Sequence, residues 1–249
     1  MSEFNDPTTL SNTINDCIDQ CLQRQRSQQA ERDYLGASRL GVACARALQY
    51  EYLHTPRDEP LSGKLLRIFE MGHVLEERTL NWLKGAGFEI LTRNAKGESF
   101  GFSVAKGRIR GHVDGIVHRT APELGLKTPA LWECKSMNAK SWKQIVDKGL
   151  KVSKPVYATQ IAVYQAYMEG TIPGISQNPA LLTVVNKDTS EIYHELVPFD
   201  AALAQNASDR AVNLLRATEA GETLPRLTTD PDHFECRFCD WRHHCWKGA

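Results

Sequence analysis

The sequence lacks several features that would each indicate a function class directly. Its 30 Lys and Arg residues equal its 30 Asp and Glu residues, so there is no excess charge of either sign. No run of about 18 apolar residues could span a membrane, and the N-terminus carries no apolar run typical of a signal peptide. Recognition of nucleic acid by bulk charge is excluded, so such a partner would need a local basic patch. We expect a soluble, cytoplasmic protein with no membrane contact.

Seven cysteines are present, and in a reducing compartment they are not expected to form a disulfide framework. Their clustering indicates a metal or cluster site instead. Because 41% of the 249 residues are hydrophobic and 24% are charged, the chain can bury a sizeable core. We divide it into a polar helical extension over 1–33, a core over 34–224 and a ligand-binding tail over 225–249.

Hydrophobic periodicity and turn signals predict an α/β fold with a central mixed sheet flanked by helices. Helices are predicted around 14–22, 38–53, 64–84, 138–150, 155–168 and 200–220. Strands are predicted at 88–91, 100–104, 108–114, 130–135, 181–185 and 192–197. The first two strands would form a hairpin, and Ser38 and Asp200 would cap the helices that begin there.

An acid, a second acid and a lysine fall on two of these strands. Alternation places Asp114 on the face opposite its apolar neighbours, and it places Glu133 and Lys135 on a shared face, roughly 6–7 Å apart. Carboxylate oxygens suit Mg²⁺, and the backbone carbonyl of Cys134 would add another ligand. A cation held there would activate a water, which Lys135 would orient or deprotonate. A solvated strand face with an ion pair is the alternative.

Nearby residues favour the metal site over a solvated face. Gly111 and Gly115 flank Asp114 and would let a ligand approach the backbone closely. Gln160 and Tyr164 follow at i, i+4 spacing, so they share one face of a predicted helix.

The order Gly-His-Val-Asp-Gly, Glu-Cys-Lys and Gln-x-x-x-Tyr resembles the PD-(D/E)XK nuclease superfamily, specifically its RecB-like and Cas4-like branch. The resemblance covers about residues 64–168 and implies a restriction-endonuclease-like core. It implies Mg²⁺- or Mn²⁺-dependent cleavage of DNA, with Gln160 and Tyr164 in the catalytic set, positioning the strand or Lys135. Val113 stands where the family often has Pro.

The same resemblance implies a residue on the helix over 64–84 that faces the metal. In that branch a Gly is followed four residues later by a His or Glu, which Gly72 and Glu76 match. The metal ligands would then be Glu76, Asp114, Glu133 and the Cys134 carbonyl. His73 and Glu77 are competitors for the helix position.

A basic run follows the second acid, with six lysines and one acid between 135 and 154. Beside a cleavage site such a run suits a DNA backbone, whereas a solvated helix face is the alternative. The residues predicted to contact DNA are Lys140, Lys143, Lys148 and Lys151, together with Trp142, which would stack on a base.

The tail holds Cys236, Cys239 and Cys245 within ten residues and has too few apolar residues to fold alone. Three soft ligands leave a tetrahedral site one short. Zinc would complete it with His243 or His244, whereas an iron–sulfur cluster would need a distant fourth thiolate.

The segment around Cys44 resembles the first-cysteine segment of the iron–sulfur nucleases of that branch. The resemblance implies a [4Fe-4S] cluster on Cys44, Cys236, Cys239 and Cys245, with Zn²⁺ as the alternative. Ala45 replaces the usual Pro there. Such a cluster would be structural and would join the two ends of the core. Of the remaining thiols, Cys17 and Cys21 are expected to be buried or half-buried on their helix, and Cys134 to point into the core.

These expectations describe a metal-dependent DNA exonuclease acting in recombination, repair or CRISPR-type DNA processing. Its partners would be single-stranded or end-containing DNA and proteins of recombination or CRISPR adaptation. The alternative is a non-catalytic nucleic-acid-binding module with an iron–sulfur or zinc centre.

Overall fold

The computed structural model describes residues 7–247. The helices of this range are α1 (Pro7–Ser27), α2 (Ala45–Tyr52), α3 (Gly63–Gly85), α4 (Ala139–Lys148), α5 (Leu150–Ser153), α6 (Pro155–Met168), α7 (Ala201–Glu219), α8 (Phe234–Arg237) and α9 (Arg242–Trp246). Its strands are β1 (Leu35–Gly36), β2 (Glu89–Leu91), β3 (Gly101–Val104), β4 (Ile109–His112), β5 (Gly115–Arg119), β6 (Ala130–Met137), β7 (Ala180–Asn186) and β8 (Ile192–Val197). None of these helices is both long enough and apolar enough to cross a membrane.

A five-stranded mixed sheet in the order β2-β5-β6-β7-β8 lies at the centre, which confirms the predicted α/β class. β6 and β7 run parallel, whereas β5 lies antiparallel to β6 and β8 antiparallel to β7. A parallel pair needs a long crossover connection, and α4, α5 and α6 provide it. β7 is buried along its full length, whereas β8 at the edge alternates between half-buried and exposed residues.

A second sheet of three strands, in the order β1-β4-β3, corrects the predicted hairpin. β3 pairs with β4 and β2 pairs with β5, so the two strands expected to pair lie in different sheets. The segments between them are linked by an isolated bridge between Arg93 and Ser99 and by backbone hydrogen bonds from Asn94 N to Glu98 O at 2.8 Å and from Phe100 N to Thr92 O at 3.4 Å. The physical reason is tertiary: Phe102 of β3 packs against the rings of Tyr164 and Tyr167 on α6, which holds β3 away from β2.

The strand predicted over 108–114 is too long. β4 ends at His112 and β5 begins at Gly115, and the chain passes between them from the small sheet to the large one. Asp114 therefore lies at the junction of the two sheets and not within a strand.

Helix α6 lies between the sheets and α7, and for that reason it is apolar on nearly every side. Ile161 and Val163 are two residues apart and so point to nearly opposite sides of the helix, yet both are buried. Helix α7 begins where predicted, because the Asp200 carboxylate accepts a hydrogen bond from Leu203 N at 2.9 Å.

The helix predicted over 38–53 is interrupted. A 3₁₀ turn spans Ala37–Arg39, and α2 begins only at Ala45, with Cys44 in an extended conformation before it. Arg210 of α7 accounts for the break, because its guanidinium donates to Val42 O at 2.7 Å and to Leu40 O and Ala43 O at 3.3 Å. Those carbonyls are then unavailable to a continuous helix.

Helix α1 packs on α3 through polar contacts. Asp19 pairs with Arg67, and Gln23 donates to Leu61 O at 2.9 Å. Cys17 and Cys21 are exposed, so the expectation that they are buried or half-buried is wrong. The polar contacts turn one face of α1 inward and leave its cysteine face in solvent.

Candidate functional site

Strand β6 places Glu133 and Lys135 on one face and Cys134 on the other, as alternation predicts. The Lys135 ammonium pairs with the Glu133 carboxylate, which is completely buried. Cys134 lies in a second apolar cluster, which also contains Trp132 of β6 and Leu181 of β7. This confirms that its thiol points into a core.

Asp114 reaches this strand from the junction between the sheets. Its Oδ2 accepts a hydrogen bond from Cys134 N at 2.8 Å. The bond holds one carboxylate oxygen of Asp114 against the backbone of β6 at Cys134, the residue between Glu133 and Lys135. The sequence interpretation brought these residues together correctly but assigned Asp114 to the wrong element.

Helix α6 contributes Gln160 and Tyr164 to the same place. Gln160 Nε2 donates to Glu133 Oε1 at 2.6 Å, and Tyr164 lies one turn further along the same face of α6. Both side chains are buried. Gln160 therefore contacts the Glu133 carboxylate from α6, with Tyr164 on the same helix face, whereas Asp114 reaches β6 from the junction between the sheets.

The two glycines beside Asp114 serve packing and not ligand approach. A Cβ on Gly111 would lie 2.8 Å from Phe102 Cζ and 2.9 Å from Tyr164 Cε1. A Cβ on Gly115 would lie 2.7 Å from Ile90 Cγ2. Protein side chains fill both spaces, so the expectation that a ligand approaches the backbone there is wrong.

Three carboxyl groups lie in this region, those of Glu133, Glu76 and Asp114. The pKa of each is raised, so each loses its proton less readily than an exposed carboxyl group. Burial raises the pKa of Glu133 to about 8, with a further contribution from Asp114. Burial and Asp114 raise the pKa of Glu76 to about 7. Burial likewise raises the pKa of Asp114, although Lys135 opposes the shift. Clustered buried acids of this kind are stabilised by a cation.

The Lys135 side chain is held as an ammonium. Burial lowers its pKa, but the Glu133 and Asp114 carboxylates outweigh burial and raise the pKa overall. Its Nζ also lies 5.1 Å from the centre of the Tyr157 ring, in the range of a cation–π contact. Tyr157 was missed from the sequence, although it stands three residues before Gln160 on the same helix face.

Three residues of α3, His73, Glu76 and Glu77, were candidates for the position that faces the metal, and they differ in exposure and electrostatic contacts. Glu76 is half-buried and interacts with both Asp114 and Glu133, whereas Glu77 is exposed. His73 is exposed, and it comes after burial, Lys135 and the Cys134 N–H among the influences on the pKa of Asp114. Of the three, the structure brings Glu76 into the carboxyl cluster, with Asp114, Glu133 and Lys135; these four residues are called the carboxyl–lysine site below.

The residues present fit a divalent cation. Glu133 Oε2 is buried and has no hydrogen-bond partner, which is costly for a carboxylate oxygen unless something else satisfies it. The atoms of Glu76, Asp114 and Glu133 that could bind a metal are carboxylate oxygens, the ligand type that Mg²⁺ and Mn²⁺ prefer. Within residues 7–247, no three His, Cys, Asp or Glu side chains are already arranged as a metal site. The Glu133–Lys135 pair and the Asp114–Cys134 bond occupy one oxygen of each acid.

The basic helix α4 keeps its lysines in solvent but not its tryptophan. Lys140, Lys143 and Lys148 of α4 and Lys151 of α5 are exposed; Lys143 pairs with Asp147, and Lys151 pairs with Asp200. Trp142 packs against the main core, and its indole nitrogen donates to Val184 O at 3.2 Å. These contacts give Trp142 a structural role, and its stacking on a base stays a prediction.

The four cysteines predicted to act together line one cavity of about 300 Å³. Cys44, Cys236, Cys239 and Cys245 are all unpaired thiols and half-buried. Burial raises the pKa of the Cys236 thiol, and the nearby Cys44 and Cys245 raise it further. The residues lining this cysteine cavity do not include His243 or His244, which lie on a neighbouring surface groove.

The tail is fastened to the N-terminal part of the core by hydrogen bonds on both sides of the cavity. Gln49 donates to Glu222 O at 2.7 Å and accepts from Leu224 N at 2.8 Å. The Asp58 carboxylate accepts from the backbone N–H groups of His243 and His244. These bonds hold the segment that carries three of the cysteines against the segment that carries Cys44.

No family model matches the sequence, and no curated relative matches it. Among solved structures, the chain is similar to an alkaline exonuclease, LHK-Exo, from Laribacter hongkongensis. The similarity has a TM-score of 0.51 at 16% identity, over 77% of this chain and 90% of that chain. The same exonuclease in complex with dAMP gives a TM-score of 0.50 at 15% identity, over 76% of this chain and 89% of that chain. The chain thus shares its fold with this exonuclease.

Proposed function

We propose that this protein is a Mg²⁺- or Mn²⁺-dependent deoxyribonuclease that acts as an exonuclease. The observation that carries the proposal is Glu133 Oε2, a buried acceptor with no partner, next to a lysine and two further acids. The fold shared with an alkaline exonuclease supports it. A protein that only binds nucleic acid has no need of a lysine held on that face.

Glu76, Asp114 and Glu133 would hold the cation, with the backbone carbonyl of Cys134 as a further oxygen ligand. When bound, the cation supplies charge neutralisation at the phosphate and lowers the pKa of a water. Ionised together, the three carboxylates outweigh the single Lys135 ammonium by two negative charges. One divalent cation cancels that excess.

The chain's own residues would then orient the reactants. Lys135 donates to the attacking water or to the phosphate and stabilises negative charge as it develops. Gln160 fixes the Glu133 carboxylate by donating to it at 2.6 Å, and Tyr164 lies on the same face of α6. Fixed donors are effective because they need no reorganisation during the reaction.

We propose that the cysteine cavity holds a structural [4Fe-4S] cluster. Four unpaired thiols on one cavity support four-thiolate ligation, and the position of His243 and His244 on a separate groove disfavours zinc with a histidine ligand. Iron and sulfide in stoichiometric amounts after oxygen-free purification would support the cluster. Stoichiometric zinc without sulfide would refute it.

The proposed substrate is DNA with a free end or a single-stranded segment, bound in the cytoplasm. The exposed lysines of α4 would contact its phosphates, which predicts a strong dependence of affinity on salt. One structure that shares this fold holds dAMP, a nucleotide of the class that such an enzyme would release. Recombination, repair and CRISPR-type processing are the proposed settings, with proteins of recombination or CRISPR adaptation as partners.

Digestion of end-labelled single-stranded and duplex DNA with Mn²⁺ tests the proposal. The wild type should shorten at least one substrate, and Lys135→Ala should lower the rate by about 100-fold or more while DNA binding is retained. Lys96→Ala, which removes an exposed lysine from the turn before β3, serves as the matched control and should cut normally. A wild type that leaves every substrate intact refutes the enzyme, and so does a Lys135→Ala variant that cuts at the wild-type rate.

A further inference from the structure

The first turn of α6 is shared by the cysteine cavity and the carboxyl–lysine site. Pro155 and Val156 line the cavity. Tyr157 and Gln160, on the same turn and the next, contact Lys135 and Glu133. The two sites are therefore separated by a single turn of helix.

On the cavity side, the absence of a side chain at Gly41 allows the chain before Cys44 to pack closely against this turn. A Cβ on Gly41 would lie 2.8 Å from Val156 Cα, 2.9 Å from Val156 O and 2.9 Å from Thr159 Cβ. Two of these atoms belong to the helix backbone, so no side-chain rotation can relieve the contact. Because Gly41 and Cys44 both line the cavity, a change in the cavity wall is passed directly to α6.

On the other side, the Tyr157 ring lies beneath the Lys135 ammonium at 5.1 Å. The ring is half-buried and packs against the main core, so its position follows the helix backbone. Lys135 pairs with Glu133, but a single ion pair does not determine where a flexible four-carbon side chain places its ammonium. The aromatic face adds a second point of attraction and defines that position.

We propose that Tyr157 is a positioning residue for the Lys135 ammonium, and that the Gly41 contact makes its position depend on the cysteine cavity. The inference rests on the proposed nuclease function for its kinetic consequence. Its structural consequence is independent of cleavage: any disturbance of the wall at Gly41 should loosen the first turns of α6.

The kinetic test replaces Tyr157 and follows cleavage at saturating Mn²⁺. Tyr157→Leu should lower kcat by about tenfold with KM unchanged, whereas Tyr157→Phe, which keeps the ring, should stay within about twofold of the wild type. Tyr193→Leu is the matched control, because Tyr193 is also half-buried against the main core but lies on β8, two strands away from the strand that carries Lys135. Equal kcat values for Tyr157→Leu and Tyr193→Leu would overturn the positioning role, as would a loss in Tyr157→Phe equal to that in Tyr157→Leu.

The structural test uses hydrogen exchange and needs no activity. In Gly41→Ala, exchange of the Thr159 and Gln160 amides should accelerate by about tenfold or more, because the added Cβ displaces the helix backbone. Gly170→Ala is the matched control, since a Cβ at Gly170 meets no atom within 4 Å, and it should leave these amides unchanged. Unchanged exchange in Gly41→Ala would overturn the coupling.

The two tests separate failure of this inference from failure of the proposed function. If the wild type does not cut DNA, the proposed function fails, and hydrogen exchange still decides whether the cavity wall controls α6. If the wild type cuts DNA and neither Tyr157→Leu nor Gly41→Ala has its expected effect, the inference alone fails.

Discussion

A divalent cation should stabilise this protein strongly at alkaline pH and only weakly at pH 6. At a Mn²⁺ concentration 100 times its dissociation constant, binding adds about 2.7 kcal/mol to the free energy of unfolding. For a chain of this size, each kcal/mol raises Tm by about 2–4 °C, so the shift should be about 5–10 °C. Metal-free protein and protein with Mn²⁺ would be compared by thermal unfolding at each pH.

The pH dependence follows from the carboxyl groups. The pKa of Glu133 is raised to about 8 and that of Glu76 to about 7, so both hold protons at pH 6 that a cation must displace. Displacing the Glu133 proton alone weakens binding by about 50-fold between pH 8 and pH 6. In the metal-free protein the sign is opposite: the folded state binds more protons than the unfolded state, so stability falls as pH rises from the ordinary Glu range to about 8.

Two variants make this prediction refutable. Glu133→Gln should abolish most of the Mn²⁺ shift, because it removes the buried oxygen that lacks a partner. Glu89→Gln, which changes a surface acid paired with Arg119, should keep the full shift. A wild-type Tm that does not respond to Mn²⁺ or Mg²⁺ at pH 8.5, or an equal shift in Glu133→Gln, would contradict the metal-site reasoning.

Four further predictions concern packing, DNA contact, the Gly111 contact and the cysteine cavity. Trp142→Ala should lower the free energy of unfolding by about 3 kcal/mol in a denaturant titration, because its indole packs in the core. Removing the exposed lysines should instead leave stability within about 0.5 kcal/mol and reduce the salt dependence of DNA affinity, measured by fluorescence anisotropy; those residues are Lys140, Lys143 and Lys148. Gly111→Ala should displace Tyr164 and lower the cleavage rate by about tenfold or more, since its Cβ meets two rings at under 3 Å. Cys245→Ser should lower both iron content and Tm, whereas Cys17→Ser, on an exposed helix face, should change neither.

Local patterns predicted the parts of the site that lie within single elements. The period of two along β6 was sufficient to place Glu133 and Lys135 together and Cys134 in a core. The helical period likewise placed Gln160 and Tyr164 on one face. These predictions hold because each relates residues whose spacing is fixed by one element's own geometry.

The failures arose where tertiary contacts decide the structure. The sequence cannot indicate that Arg210 binds the carbonyls before Cys44 and breaks a helix, because the two lie far apart in the chain. The strand containing Asp114 reads as continuous, yet the chain crosses there between sheets. Trp142 has the spacing of a surface residue among lysines, and only packing shows that its ring turns inward.

The cysteine cavity stands between these two cases. Neither period nor spacing relates Cys44 to a tail almost two hundred residues later, and the sequence interpretation depended on family resemblance for that pairing. The structure places all four thiols on the lining of one cavity, but within residues 7–247 no three of them are arranged as a metal site. The identity of the bound group stays a prediction.

The central claim is that the carboxyl–lysine site cuts DNA with a bound cation, and the rate of nucleotide release by wild type and Glu133→Gln tests it most directly. Both proteins would be given end-labelled DNA in single-turnover experiments with saturating Mn²⁺. The wild type should release nucleotides, and Glu133→Gln should release them about a thousandfold more slowly, with DNA binding retained. Equal rates in the two proteins, or no release by the wild type from any DNA end, would contradict the claim.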